Sequence, residues 1–152
     1  MGRDEISENQ FWQDFDAERS IEERQVASKI IAWARGQDLK DSFRSGKRGS
    51  VFFPRLSVGK ECSPIALKQQ GFLLIRLRGL QTVAPFDSEH KRSELLHRIE
   101  AIPGVIETEL ADIGYPKFSL LRLADKSVWE QLAGTLDWIV AEIRGIKRRV
   151  IS

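Results

Sequence analysis

The fold turns on one stretch, LKDSFRSGKRGSVFFPRLSVGKECSPIALKQQGFLLIRLR (Leu39–Arg78), which is poor in helix signals, rich in turn residues and strongly basic. Between Leu39 and Leu80, Lys40, Arg44, Lys47, Arg48, Arg55, Lys60, Lys68, Arg76 and Arg78 stand against only Asp41 and Glu61, a local charge of +7 in a chain whose total is +2. Turn signals divide the stretch into extended segments. Leu39–Phe43 reads as a first strand, followed by a turn at Gly46-Lys47-Arg48-Gly49. Ser50–Arg55 reads as a second, with Pro54 near its end, where a missing ladder donor does least harm. Val58-Gly59-Lys60 then turns the chain into a weaker strand, Glu61–Leu67, and Gln69-Gln70-Gly71 into the clearest one, Phe72–Arg78. Alternation there puts Leu73, Ile75 and Leu77 on one face, and Phe72, Leu74, Arg76 and Arg78 on the other. The first set is the expected core. The second mixes apolar and guanidinium groups, as a ligand-facing or partly covered surface would.

Helical signals flank this stretch on both sides. Ser7 and Gln10, then Ser20 and Glu23, have the spacing of capping boxes. Phe11 and Phe15 follow the first, and Val26, Ile30 and Trp33 the second, at the spacing of one buried helix face. Helices are expected near 8–18 and 21–35, with Gly36 as a stop. Asp87 or Ser88 caps a third that runs to about Ala101 and buries Leu95, Leu96 and Ile99, before the turn Ile102-Pro103-Gly104-Val105. Residues 106–118 show no clear pattern beyond a bend at Tyr115-Pro116. Asp125 caps a last helix with a stripe from Val128 to Ile143, and Gly145 is its expected end. The fold class is therefore α+β: an antiparallel meander of about four strands packed against N-terminal and C-terminal helices. One domain is expected over residues 1–152, with an acidic N-terminal segment (1–19) and a basic tail (144–152).

A chain of 152 residues is large enough to bury about 68–70% of its unfolded surface. Its 41% hydrophobic and 30% charged residues fit a soluble globular protein. No apolar run approaches the ~20 residues of a membrane span, and Met1–Gln10 has no signal-peptide pattern. Ile6 stands where a myristoylation motif requires Ser or Thr. A lone Cys62 reads as a small buried side chain in a reducing compartment, so a cytoplasmic setting with no membrane partner is expected.

Charge is distributed in blocks. Residues 1–25 carry eight acids against three bases, and residues 86–142 eleven against six, −5 in each case. The tail adds Arg144, Lys147, Arg148 and Arg149. Two explanations compete: an anionic partner for the basic stretch, or pairing of the basic stretch with the protein's own acidic helices.

Few residues are arranged for chemistry. Gly46-Lys47-Arg48-Gly49 has the GxxG form that clamps nucleic-acid backbone in KH domains, but there the loop joins two helices, and a basic hairpin turn is the simpler reading here. Glu89-His90-Lys91 after Asp87 has the composition of the PD-(D/E)xK nuclease signature. That signature needs a strand and a distant Asp, whereas these residues crowd into a helix start, which excludes it. His90, Glu94 and His97 share a helix face that could in principle hold a metal, although a solvated charged face is the commoner cause of such spacing. Catalytic triads, paired-Cys spacing and P-loops are lacking, so no catalytic residue, metal ligand or cofactor is expected, and the chain is poorly equipped as an enzyme. The candidate site is a nucleic-acid-binding one: Arg44, Lys47, Arg48, Arg55, Arg76 and Arg78, with Phe43, Phe52 and Phe72 interleaved. Cations neutralise phosphates and exposed aromatics stack bases. DNA or RNA is the expected partner; the alternative is a protein-interaction or homodimerisation module.

Trp33-Ala34, Gly49-Ser50, Pro85-Phe86-Asp87, Arg92, Glu94-Leu95-Leu96, Ile102-Pro103-Gly104-Val105 and Leu136-Asp137-Trp138 together form a pattern spanning about residues 11–145. It resembles a little-characterised bacterial domain found in the C-terminal part of longer proteins, some of which carry a restriction-endonuclease-like module. The chain departs from that pattern where Phe72–Leu77 is aliphatic and basic rather than aromatic, and where Tyr115-Pro116-Lys117 replaces an Arg-Pro-Ser turn. The resemblance implies an accessory role beside nucleic-acid enzymes, and supplies no site residues.

Overall fold

The long helices begin at the capping residues that the sequence marks. In the computed structural model, which describes residues 4–106 and 116–151 and side chains up to residue 145, Ser7 accepts from the amide of Gln10 and starts α1 (Glu8–Glu18). Ser20 and Glu23 form a reciprocal capping box at α2 (Ile21–Gly36). Ser88 caps α4 (Glu89–Glu100), and the Asp125 carboxylate accepts from the amides of Ser127 and Val128 at the start of α6 (Lys126–Ile151). Gly145 does not end α6, which continues to Ile151. A helical glycine costs only about 1 kcal/mol relative to alanine, which a helix of 26 residues absorbs. The Tyr115 half of the expected bend and the side chains of Lys147, Arg148 and Arg149 lie outside the described residues.

The fold is α+β, with more strands than the four expected. A six-stranded antiparallel sheet runs in the order β1 (Asp4–Glu5), β2 (Phe43–Gly46), β3 (Gly49–Phe52), β6 (Ile65–Lys68), β7 (Phe72–Ile75) and β8 (Lys117–Ser119). β4 (Leu56–Val58) and β5 (Lys60–Cys62) form a separate hairpin. Thus the expected strand Glu61–Leu67 is divided between two sheets, around Ser63 and Pro64. The strand expected at Leu39–Phe43 lies instead at Phe43–Gly46, and that expected at Ser50–Arg55 at Gly49–Phe52, yet their pairing continues back through Lys40 and Arg55. Phe53 donates to the Ser42 carbonyl, and Lys40 and Arg55 exchange both backbone hydrogen bonds. Pro54, opposite Asp41, falls at a non-hydrogen-bonded position, so its missing N–H costs this ladder nothing.

The expected strand Phe72–Arg78 ends at Ile75. Opposite Arg76 stands Pro64, which accepts from the Arg76 amide at 2.9 Å but has no N–H to donate back, so the ladder stops there. The chain turns instead into a single helical turn, α3 (Leu77–Leu80), with the Leu80 amide donating to the Arg76 carbonyl. A short α5 (Leu120–Leu123) follows β8 directly.

The two faces of the sheet differ. Cross-strand neighbours Phe43, Phe52, Leu67, Leu73 and Phe118 form one inner row, all at most 6% exposed. α1 packs on this face: the Phe11 ring lies 5.4 Å from that of Phe43, and Ser50 donates to Asp14 at 2.5 Å. Ile30 of α2, Leu95 and Ile99 of α4, and Leu132, Leu136, Ile139 and Ile143 of α6 complete one core, whereas Leu96, expected in the buried stripe of α4, is exposed. The opposite row reads Glu5, Arg44, Val51, Lys68, Phe72 and Ser119.

Candidate nucleic-acid interface

Strand alternation brings part of the basic stretch together. In the extended β2–β3 ladder, residues with the parity of Arg44 share the outer face. That set holds Lys40, Ser42 and Arg44 on one side, and Val51, Phe53 and Arg55 on the other. Arg76, the first residue after the buried Ile75, points to the same side. Ser42, Arg44, Phe53, Arg55 and Arg76 of this side line a cleft of about 540 Å³, within the range of ligand pockets. Ser42, Arg44 and Phe53 come from the sheet; Arg55, Glu61, Cys62 and Ser63 come from the β4–β5 hairpin and its flanks; Arg76, Gly79 and Thr82 come from the α3 segment.

Three guanidinium groups line this cleft against one carboxylate. Arg55 is held by Glu61 at 3.0 Å, and its buried Nε makes no hydrogen bond. Arg76 reaches the Ser63 carbonyl at 3.4 Å and lies 4.9 Å from the centre of the Phe53 ring. Arg44 contacts the Ser42 hydroxyl at 3.4 Å. Glu5 is opposite Arg44 in β1 but makes no ion pair with it, and among the described residues neither Arg44 nor Arg76 has a carboxylate partner. Lys40 and Arg55 are directly cross-strand, a like-charge pairing that works against the ladder. Burial pushes the Cys62 thiol above its ordinary pKa, opposed by the Arg76 charge, so the thiol is neutral and a poor nucleophile near pH 7.

The acidic helices do not neutralise this cleft. Glu23 pairs with Arg19, Asp16 with Arg24, and Glu8 with Arg35, which also binds Asp41. The Arg35 guanidinium is consequently held above its ordinary pKa, most strongly by the Asp41 hydrogen bond. Glu8, Asp16 and Glu23 thus pair with arginines in or beside α1 and α2, and among the described residues no acid of these helices forms an ion pair with Arg44, Arg55 or Arg76.

The remaining sequence candidates lie elsewhere. Lys47 and Arg48 form the exposed β2–β3 turn, three residues from Arg44 and so about 10 Å along the strand. Arg78 is exposed on α3, separated from Arg76 by the helical turn. Of the three aromatics, Phe43 and Phe52 are core, and Phe72 is half-buried with the Lys117 ammonium 4.2 Å over its ring. The aromatic in the cleft is Phe53, whose spacing of two from Arg55 was the signal for it.

The His90–Glu94–His97 face is engaged in other ways. Lys91 and Arg98 bind Glu94, and the His97 Nδ1 lies 2.9 Å from the Ser93 carbonyl. Desolvation works against ionisation of Glu94, but hydrogen bonds from Arg98 and Lys91 outweigh it and leave the carboxyl below its ordinary pKa. Among the described residues no group of three or more His, Cys, Asp or Glu side chains is placed to hold a metal, and no helix is long and apolar enough to cross a membrane. The chain matches no family model, no curated protein and no solved structure.

Proposed function

We propose that this protein binds nucleic acid without cleaving it, as an accessory to nucleic-acid enzymes, through the outer face of its sheet. The observation that carries this reading is the pair Arg44 and Arg76, two guanidiniums on one cleft with no carboxylate partner among the described residues, while Glu8, Asp16 and Glu23 pair with Arg35, Arg24 and Arg19. Guanidiniums donate in a fork that matches phosphate oxygens. Phe53 adds an aromatic surface for a base, which favours single strands, whose bases are free to stack. Lys47 and Arg48 extend the cationic path beyond the cleft. The alternative, a protein-interaction or oligomerisation module, has less support. The large exposed apolar side chains among the described residues, Ile21, Leu96, Ile106 and Leu121, are dispersed over α2, α4, the segment before β8 and α5.

The test is a titration of labelled single- and double-stranded DNA and RNA. If Arg44, Arg76, Lys47 and Arg48 each neutralise a phosphate, affinity falls on the order of a hundredfold between about 50 and 200 mM salt. Binding with that slope, tighter for single strands, is the expected result. No binding of any of the four at the lower salt would overturn the reading.

A further inference from the structure

We infer that the arginine cleft takes the phosphate monoester of a nucleotide, so that the protein recognises a phosphorylated strand end rather than an internal phosphodiester. This rests on the nucleic-acid reading above and narrows it. The first argument is charge. Arg44, Arg55 and Arg76 against Glu61 leave the cleft at +2. A phosphate monoester carries about −1.5 to −2 at neutral pH; a phosphodiester carries a single charge. The cleft therefore matches a terminal phosphate better than an internal one.

The second argument is direction. A strand crossing the cleft would need a cationic path on both sides. Toward the β2–β3 turn there is one, with Lys47 and Arg48 about 10 Å from Arg44. On the opposite side stands the β4–β5 hairpin with Glu61, half exposed at 52%, which would repel the next phosphate. Lys40 and Lys60 are exposed toward that side, so Glu61 disfavours passage rather than barring it, and the chain leaves the cleft more favourably toward the turn, with its end in the cleft. Glu61 has a second role, since its bond to Arg55 fixes that guanidinium as one wall. The third argument is proximity. The Phe53 ring, a kind of surface on which a base stacks, lies 4.9 Å from the Arg76 guanidinium, so an aromatic group stands beside the phosphate-binding cations, as a nucleotide requires.

The experiment compares oligonucleotides of about ten nucleotides, a length one binding domain can cover. They share one sequence and carry a 5′-phosphate, a 3′-phosphate or hydroxyls at both ends, with the label placed internally. Nucleoside monophosphate and inorganic phosphate serve as competitors. One phosphorylated end is expected to bind at least about tenfold tighter than the hydroxyl ends, the worth of one more hydrogen bond to a charged group. Arg44→Gln with Arg76→Gln should erase that ratio. Lys47→Gln with Arg48→Gln should weaken both kinds of strand and preserve it. Glu61→Gln keeps the cleft's arginines and should shrink the ratio by letting hydroxyl-ended strands run through. Equal affinity for phosphorylated and hydroxyl ends overturns this inference and leaves the nucleic-acid reading standing. Failure of all strands, with nucleoside monophosphate still bound and displaced by the Arg44 and Arg76 changes, overturns the strand reading and assigns the cleft to free nucleotides. Failure of every probe overturns both.

Discussion

The inner and outer faces of one sheet are made by alternate residues of the same strands, and they obey different rules. The inner row, Phe43–Phe52–Leu67–Leu73–Phe118, is apolar at every position and closed to water by α1. The outer row sets Arg44 beside Val51, and Lys68 beside Phe72. Burial accounts for the first row completely, because each ring or branched chain gains by leaving water. It does not account for the second. A solvent face would do without Phe53, and a packing face would pair its arginines. The comparison locates the information: the inner face says how the chain folds, and the outer face what it meets.

The largest effect comes from breaking the inner face. Phe52→Ala removes a fully buried ring whose centre lies 5.0 Å from that of Phe43, and should cost about 3–5 kcal/mol in a urea unfolding titration. A loss under about 1 kcal/mol would mean that the inner face is not the core.

How far this could be read beforehand depended on whether the signal was local. Ser7, Ser20, Ser88 and Asp125 each announce a helix start through bonds within three residues, and each does start one. Gly59 and Gly71, with φ of 88° and 94°, sit at the turns their residue type suggests. Strand ends are set by partners distant in sequence, which local patterns do not show. Alternation from Phe72 to Arg78 is unbroken in the sequence, but Pro64, which has no N–H to donate, ends the ladder, and Arg76 and Arg78 part company at α3. Likewise Phe52 and Phe53 are indistinguishable by composition. Only the continuation of the ladder to Lys40 and Arg55 puts Phe53 outside with the arginines. The candidate residues were thus visible as a group, while their division into a cleft, a turn and a helix was not.

The register that separates the two faces depends on the β2–β3 turn. Gly49 has φ of 99°, and a Cβ there would stand 2.6 Å from the Gln69 Oε1, which accepts from the Ser50 amide. Gly49→Ala should therefore destabilise by about 1–3 kcal/mol, read by the same titration. A one-residue slip to relieve the strain would exchange the faces entirely. Arg44→Gln with Arg76→Gln should show the opposite profile. Stability should stay within about 0.5 kcal/mol, while oligonucleotide affinity at low salt falls about tenfold and the slope of log affinity against log salt drops by about 2. Unchanged affinity would remove the outer face as the binding surface.

The smallest effect discriminates most finely, because it should differ in sign between stability and binding. Lys40 is exposed and exchanges backbone hydrogen bonds of 2.9 and 2.8 Å with Arg55, placing two like charges directly across the ladder. Such a pair opposes folding. Glu61, 3.0 Å from Arg55, offsets part of it, and solvent screens the rest. Lys40→Gln removes the repulsion and leaves the backbone bonds, so the protein should become more stable by about 0.3 kcal/mol at low salt, with the gain fading as salt rises. If the face serves an anion, the same substitution should weaken oligonucleotide binding. A charge kept only for folding would give the reverse, a loss of stability with binding untouched. The two titrations on this one variant therefore separate a surface that tolerates its own repulsion in order to attract phosphate from one that is merely basic.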